Sequence, residues 1–330
     1  MPRIIITALV GAVLSGGIGY LLLPVLRALK AGQSIREIGP TWHNNKAGTP
    51  MMGGLMFIFA AILCLLGNLV AGVVAGVMKN YTVFLVIGLA LCFGLVGFLD
   101  DFFKIKFKRN LGLTSIQKAL LQMAVSAIFL YILYRLNALS TAFFIPFVRI
   151  STPNIHLFIY LFMAMFIMVG CVNAVNLTDG VDGLCATVTL PVMIFFTAIA
   201  WYKQQYDIAI LPAALAGGLI AYLFFNWHPA KVFMGDTGSL FLGGVTCALA
   251  FALDIPLVLV LVGFVYIVET MSVILQVGYF KLTKGKRLFK MSPIHHHFEM
   301  SGWKEEKICI IFGLVSALMC VVAWFSVVGF

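Results

Sequence analysis

Charged residues are scarce in this sequence. Aspartate, glutamate, lysine and arginine together make up 10% of its 330 residues, whereas a soluble globular protein carries about 25%. Hydrophobic residues make up 62%, and the mean hydropathy is +1.07. These values exclude an ordinary water-soluble enzyme, a secreted disulfide scaffold and a disordered chain. They predict a polytopic membrane protein with room for roughly ten transmembrane helices.

Acidic residues are scarcer still, because 12 acids stand against 22 lysines and arginines, for a net charge of +10. In a soluble protein this excess suggests nucleic-acid binding, but in a membrane protein it is typical of the positive-inside rule, so no nucleic-acid partner is predicted. The seven cysteines show neither metal-ligand spacing nor a disulfide framework. No Walker A loop is present, which argues against an ATP-driven pump.

Apolar runs predict an all-α fold of about ten transmembrane helices, forming one catalytic domain over residues 1–330. No repeat of fixed period and no soluble domain interrupts them. The predicted spans are Ile4–Leu26, Met51–Met78, Tyr81–Leu99, Ile116–Tyr134, Leu157–Val175, Leu184–Trp201, Ile208–Phe225, Leu240–Ala252, Pro256–Phe280 and Ile308–Val328.

The basic residues also predict an orientation. With the N-terminus outside, most lysines and arginines fall in inner loops or at the adjoining helix ends. Ten spans then place both termini on the outer, periplasmic or extracellular side. The longest outer connection, Arg135–His156, is expected to hold a short hairpin or an interfacial helix.

Acids near a membrane are costly, so their positions are informative, and most of them fall on the predicted inner side. Asp100 and Asp101 end the third span, where the helix dipole disfavours negative charge. A bound cation, Lys104 one turn later, or both should compensate them. A salt-bridged helix end is one interpretation of this pair, and metal coordination or general-base chemistry is the other.

A second motif, NAVNLTDGVDGL at residues 173–184, repeats a polar residue at every third position. If the fifth helix continues or tightens toward 3₁₀ geometry, Asn173, Asn176, Asp179 and Asp182 lie on one face. Gly180 would let a ligand approach the backbone there. A turn rich in Asn and Asp is the alternative, but it explains one such residue more easily than four on one face.

A third motif, NWHPAKVFMGDTGS, covers residues 226–239. Asp236, Thr237 or Ser239 is suited to cap the eighth helix. A glycine-flanked aspartate beside Thr and Ser at a helix start is equally suited to bind a phosphate or a metal ion. The pattern leaves both interpretations of Asp236 open.

A fourth motif, SPIHHHFE at residues 292–299, contains three consecutive histidines. They cannot all point at one ion, because neighbouring side chains diverge by about 100° in a helix and alternate across a strand. One or two of them donating to phosphate or carboxylate groups is therefore favoured over a zinc site. A solvated basic loop is the alternative.

Two further features complete the polar inventory. Before the second helix, Thr49 is predicted as the N-cap and Pro50 as the first helical residue, which leaves Lys46 available to reach a phosphate. In the ninth span a polar stripe includes Glu269 and Gln276, and it is expected to face protein or a water-filled cleft rather than lipid.

Together these motifs offer carboxylates for a divalent cation, lysines and histidines for phosphates, and amides for hydrogen bonds, all on one side of the membrane. This inventory suits a diphosphate–Mg²⁺ substrate that reacts at the bilayer surface. A polytopic membrane enzyme is needed when one substrate is a lipid and the other is aqueous.

The sequence resembles the phospho-N-acetylmuramoyl-pentapeptide transferases, within the polyprenyl-phosphate N-acetylhexosamine-1-phosphate transferase superfamily. The motifs that carry the resemblance are DD at 100–101, NAVNLTDGVDGL at 173–184, PAKVFMGDTGSL at 229–240 and MSPIHHHFE at 291–299. The resemblance covers essentially the whole chain. It implies Mg²⁺-dependent transfer of phospho-MurNAc-pentapeptide from UDP to undecaprenyl phosphate in the bacterial plasma membrane. The active site would face the cytoplasm, and the enzyme would be a homodimer.

The resemblance also implies roles for single residues. Asp236 would bind Mg²⁺, Asp100 would contact or deprotonate the lipid phosphate, Asp101 would assist at the nucleotide or metal, and Phe233 would stack on uracil. The implied metal ligands are Asp236, Asp101 and Asn176. The implied catalytic set is Asp100, Asp101, Asp236, Lys104 and His296. The implied substrate-binding set is Lys46, Thr49, Lys118, Asn173, Asn176, Asp179, Asp182, Phe233, Gln276, His295 and His297.

Two mechanisms and two rival functions remain open at this point. Direct attack by the anionic lipid phosphate is favoured, and a two-step path through a phospho-aspartate at Asp100 or Asp101 is conceivable. A GlcNAc-1-phosphate transferase is the rival within the superfamily. A transporter or flippase is the rival from another class, but of the acids only Glu269 falls near the middle of the membrane.

Overall fold

The computed structural model describes residues 2–29, 48–74, 82–107, 112–136 and 139–329. Lys46 lies outside these ranges. The described residues form twelve helices and one short hairpin. The helices are α1 Pro2–Ala28, α2 Leu55–Val74, α3 Thr82–Lys106, α4 Ser115–Arg135, α5 Leu157–Thr178, α6 Leu184–Tyr202, α7 Tyr206–Asn226, α8 Gly235–Ala252, α9 Leu259–Val262, α10 Phe264–Leu282, α11 Ile294–Glu299 and α12 Glu305–Val328.

Ten helices in the described part of the chain are long and apolar enough to cross a membrane, namely all except α9 and α11. The predicted all-α, ten-span fold is therefore confirmed. The predicted ninth span, Pro256–Phe280, is wrong as one continuous helix. A 3₁₀ turn and α9 occupy its first part, and α10 begins after Gly263. No charged or amide side chain lies near Gly263, so hydropathy alone does not indicate this break.

The predicted outer connection contains the hairpin. Strand β1, Phe144–Ile145, pairs with β2, Ile150–Ser151, in antiparallel register. Of the two structures expected for this connection, the hairpin is the one that forms.

Helix α8 lies at the centre of the bundle. It has the lowest mean hydropathy of the ten candidate spans, 1.2, yet it is the most enclosed, with 89% of its span buried against 22% for α1. Small residues allow this, because a Cβ at Gly243 would lie 2.7 Å from Val172 Cα of α5, and one at Gly97 of α3 would lie 2.1 Å from the backbone oxygen of Asp236. Close backbone approach through small residues is typical of helices packed within membranes.

The C-terminal ends of α3 and α5 meet the N-terminal ends of α4 and α8. Contacts among Asp100, Lys104, Lys118, Asn176 and Asp236 define this region, which we call the motif end. The first three sequence motifs are thus brought close together by helices that run in alternating directions.

Candidate active site

The first turn of α8 is capped by a residue from another helix. The buried Asp101 carboxylate of α3 accepts hydrogen bonds from the backbone N–H of Asp236 at 3.2 Å and of Thr237 at 2.9 Å, and from the Thr237 hydroxyl at 2.7 Å. A carboxylate at this position satisfies unpaired amides and favours the helix dipole. The interpretation in which Asp236, Thr237 or Ser239 caps its own helix is therefore wrong, since Ser239 bonds back to Gly235 within the helix.

The segment before α2 pairs with the segment before α8. The N–H of Phe233 donates to Pro50 O at 2.8 Å, and the N–H of Gly53 donates to Phe233 O at 2.8 Å. Because α2 begins only at Leu55, the predicted N-cap role of Thr49 and first-turn role of Pro50 are wrong. These backbone hydrogen bonds hold the segment extended, and they place the half-buried Phe233 beside the first turn of α8.

Three carboxylates converge at the motif end. Asp100, Asp101 and Asp236 each offer an oxygen within 4.8 Å of the others. Asp100 accepts a hydrogen bond from the N–H of Leu113 at 2.7 Å, and the Lys104 ammonium lies 2.6 Å from its Oδ2. Lys104 thus supplies the positive charge that the sequence requires at the end of α3.

Asp236 is the point where four helices meet. Its Oδ2 lies 3.1 Å from Nζ of Lys104 on α3 and 2.8 Å from Nζ of Lys118 on α4. Its Oδ1 accepts a hydrogen bond at 2.8 Å from Asn176 on α5, and Asn176 also donates to Ser239 at 2.8 Å. Lys118 donates to the Asn176 side-chain oxygen at 3.3 Å. The carboxylate is therefore held in one position by groups from three other helices.

Asn173 is engaged by α4 through Gln122, which sequence reasoning missed. The Asn173 amide donates to Gln122 Oε1 at 2.6 Å and to Val169 O at 2.8 Å, and Gln122 donates back to Asn173 Oδ1 at 3.4 Å. Gln122 is fully buried. This amide pair lies one helical turn from the contact between Lys118 and Asn176, on the same two helices. The sequence does contain a signal for this contact, because Gln122 is a polar residue in an apolar helix and lies four positions, about one turn, after Lys118.

Asp179 follows directly on the end of α5 at Thr178. Burial raises the pKa of the Asp179 carboxyl to about 8, and the negative charges of Asp236, Asp101 and Asp182 act in the same direction. Asp179 therefore lies close enough to the carboxylate cluster to interact with its charges.

Asp182 is held by a different set of groups. Its Oδ2 accepts a hydrogen bond from the N–H of Ala230 at 3.1 Å and lies 2.9 Å from His228 Nδ1, while its own N–H donates to Glu305 at 2.9 Å. The prediction that Asp182 shares a face with the α5 side chains is wrong, because α5 ends before it. Asp182, His228 and Glu305 could also hold a metal ion by distance, but their contacts tie together the loops before α6, α8 and α12.

The three histidines diverge, as expected from their spacing. His295 is buried, with Nδ1 3.0 Å from Oε2 of Glu269. His296 pairs with Glu299 at 2.5 Å, one turn later on α11. His297 accepts a hydrogen bond through Nδ1 from a loop N–H at 3.1 Å. No single ion can be held by all three.

The polar stripe of α10 faces protein, as predicted. Glu269, Ser272 and Gln276 are all buried. The Gln276 side-chain oxygen accepts hydrogen bonds from the backbone N–H groups of Leu288 at 3.1 Å and Phe289 at 2.8 Å. Gln276, predicted to bind substrate, therefore holds the loop between α10 and α11.

Known proteins are similar in sequence to this chain over the residues that form the motif end. Residues 83–254, which include all three clustered carboxylates, match the model of glycosyl transferase family 4. The fold and the site thus define a membrane-spanning glycosyl transferase.

The chain is 45% identical to the phospho-N-acetylmuramoyl-pentapeptide-transferase of Clostridium perfringens (strain SM101 / Type A), over 98% of this chain and 97% of the relative. It is 47% identical to that of Listeria monocytogenes serotype 4b (strain CLIP80459), over 91% and 92%, and 43% identical to that of Clostridium acetobutylicum, over 99% and 100%. The chain belongs to the phospho-N-acetylmuramoyl-pentapeptide-transferase family.

Proposed function

We propose that this protein transfers phospho-MurNAc-pentapeptide from UDP-MurNAc-pentapeptide to undecaprenyl phosphate, releasing UMP and forming lipid I for peptidoglycan synthesis. The observation that carries the proposal is the convergence of Asp100, Asp101 and Asp236 with Lys104 and Lys118 at one end of a ten-span bundle. A bilayer-embedded protein can present such a polar cluster both to a lipid phosphate and to an aqueous nucleotide. The substrate class is also the one named in the relatives.

The proposal includes Mg²⁺ as cofactor, held by Asp236. The donor set fits, because carboxylate oxygens are hard ligands and three of them lie within 4.8 Å of one another. Lys104 and Lys118 already place two ammonium groups around Oδ2 of Asp236, and a bound ion would take their place at this oxygen. Asp101 and Asn176 would keep the Asp236 turn in position for the ion. When bound, Mg²⁺ would neutralise charge on the reacting phosphates.

Direct attack by the lipid phosphate is the mechanism that we propose. Its oxygen forms a bond to the sugar-linked phosphorus, the bond from that phosphorus to the bridging oxygen breaks, and UMP leaves with the electron pair. The attacking oxygen is already anionic near neutral pH, so a general base adds little. Lys104 and Lys118 would reduce the repulsion between the two anionic substrates. One phosphoanhydride replaces another, so no energy source is required.

The contacts of the two α3 aspartates argue against a phospho-aspartate intermediate. Asp101 is fully buried, and both of its oxygens accept hydrogen bonds from the start of α8. One oxygen of Asp100 accepts from Leu113 and the other contacts Lys104. These interactions stabilise the carboxylate charge and lower its nucleophilicity. They support the one-step path.

We further propose that the motif end faces the cytoplasm and that the chain resides in the bacterial plasma membrane. The lysines and arginines of the loops at this end support the orientation. The homodimer implied by the sequence resemblance stays a prediction.

A donor comparison tests the function. Purified protein in detergent is given Mg²⁺, undecaprenyl phosphate and UDP-MurNAc-pentapeptide labelled in both uridine and peptide. We expect the peptide label in the lipid phase and the uridine label in aqueous UMP, with little use of UDP-GlcNAc. Preference for UDP-GlcNAc would favour the rival transferase, and no lipid product with either donor would reopen the transporter alternative.

The amide pair between α4 and α5 gives a second test. We expect Gln122→Leu to lower kcat about tenfold or more, because it removes both hydrogen bonds between Gln122 and the Asn173 side chain, which hold α4 and α5 in the register that aligns Lys118 with Asp236. Gln122→Asn and Asn173→Gln change the combined side-chain length by one methylene in opposite directions. The double variant Gln122→Asn/Asn173→Gln restores that length and should be more active than either single variant. A double variant no better than the worse single variant would contradict this role.

A further inference from the structure

A buried carboxylate on α10 is not used by the mechanism described above. Glu269 is fully buried in a predicted span. Its Oε2 lies 3.0 Å from Nδ1 of His295, and its Oε1 has no hydrogen-bond partner among the described residues. Ionisable groups in membrane spans are costly and usually functional.

Glu269 is the polar partner of the His295 ring. The two side chains share one hydrogen bond, between Oε2 of Glu269 and Nδ1 of His295. His295 is fully buried, and its Nε2 also lacks a partner in the part of the chain that the structure describes. Among the described residues, the contact with Glu269 is therefore the one hydrogen bond that orients the ring.

The other edge of the His295 ring lies against Gly180. A Cβ built at Gly180 would lie 2.1 Å from Nε2 and 2.4 Å from Cε1 of His295. This distance leaves no room for any side chain at position 180. Gly180 lies between Asp179 and Asp182, in the loop that joins α5 to α6. The orientation of the imidazole thus limits where this loop can lie.

The stripe of α10 holds the following segment at two points. Gln276 binds the backbone at Leu288 and Phe289, and Glu269, two turns earlier, binds His295. The helix therefore serves as a rigid support for α11. Ser272, between them on the same face, donates only to the Glu269 backbone oxygen of its own helix.

From these contacts we propose that Glu269 is a positioning residue, which acts through His295 and Gly180 to place the Asp179–Asp182 loop for the nucleotide substrate. The inference rests on the proposed transferase function. It predicts that side-chain length and a hydrogen-bond acceptor at position 269 matter more than the negative charge.

Two variants separate these properties. Glu269→Gln keeps the length and an acceptor oxygen but loses the charge, whereas Glu269→Asp keeps the charge but falls one methylene short of His295. We expect Glu269→Gln to retain activity within about threefold of the wild type. We expect Glu269→Asp and Glu269→Leu to lower kcat/KM for the UDP donor about tenfold or more, mainly through KM for the UDP donor. KM for undecaprenyl phosphate should not change. Ser272→Ala is the matched control on the same stripe and should behave as the wild type.

The measurement is steady-state transfer in detergent, with the melting temperature of each variant recorded. If Glu269→Leu does not fold, the comparison of Gln with Asp decides the matter alone. Equal activity of Gln and Asp, higher activity of Asp, or an equal rise in KM for both substrates would overturn the inference. An inactive wild type would instead refute the proposed function, so the two failures are distinguishable.

Discussion

We expect Asp236→Asn to lower transfer about 100-fold or more. The substitution keeps the shape of the side chain but removes the charge that Lys104 and Lys118 approach at 3.1 and 2.8 Å. It also removes the strongest oxygen ligand for the proposed Mg²⁺. Release of labelled UMP by purified protein, at saturating concentrations of both substrates and Mg²⁺, measures the effect.

Asp254→Asn is the matched control. It makes the same chemical change just beyond the other end of α8, roughly 25 Å away along the helix. Asp254 is exposed and has φ +54°, a conformation that asparagine adopts readily. Both variants should elute as folded protein. Near-normal turnover in Asp236→Asn, or an equal loss in Asp254→Asn, would rule out the assigned role of Asp236.

The second large effect is expected at Gly97, where α3 touches the start of α8. A Cβ there would lie 2.1 Å from the backbone oxygen of Asp236 and 2.7 Å from the backbone nitrogen of Thr237. Both neighbours are backbone atoms of a helix, so they cannot move aside without shifting α8. We expect Gly97→Ala to destabilise the protein by about 1–3 kcal/mol. Activity should fall with it, because Asp101 and Asp236 are separated by the same displacement.

Gly88 provides the comparison on the same helix. A Cβ built at Gly88 meets nothing within 4 Å, and alanine is the better helix former. Gly88→Ala should therefore melt at or above the wild-type temperature in the same detergent and keep full activity. Equal melting temperatures for Gly97→Ala and Gly88→Ala would show that the close contact at Gly97 does not contribute to stability.

The sequence predicts the spans well because the requirement for long apolar segments is local. Each apolar run is long enough to identify by itself, and the ten-helix prediction depends on nothing else. The break at Gly263 and the late start of α2 at Leu55 were missed for the opposite reason. The late start of α2 follows from backbone hydrogen bonds to a distant segment, such as the pairing of Gly53 with Phe233. The break at Gly263 lies within a run that is apolar on both sides of it.

The sequence indicates which residues belong to the site better than it indicates which of them contact one another. Polar residues are easy to recognise in an apolar sequence, and the side chains of Asp100, Asp236 and Lys118 do lie close together in the structure. What a local pattern cannot show is that Asp101 caps a helix that lies 135 positions later in the chain. The contact of Gln122 with Asn173 and that of Glu269 with His295 are long-range contacts of the same kind.

We propose that Asp236 holds a divalent cation at the meeting point of α3, α4, α5 and α8. Titration of purified protein with Mn²⁺, followed by the electron paramagnetic resonance signal of the free ion, tests it most directly. We predict a saturable site, displaced by Mg²⁺, in the wild type and in Asp254→Asn, and loss of that site in Asp236→Asn. Unchanged Mn²⁺ affinity in a folded Asp236→Asn protein would show that Asp236 does not hold the ion.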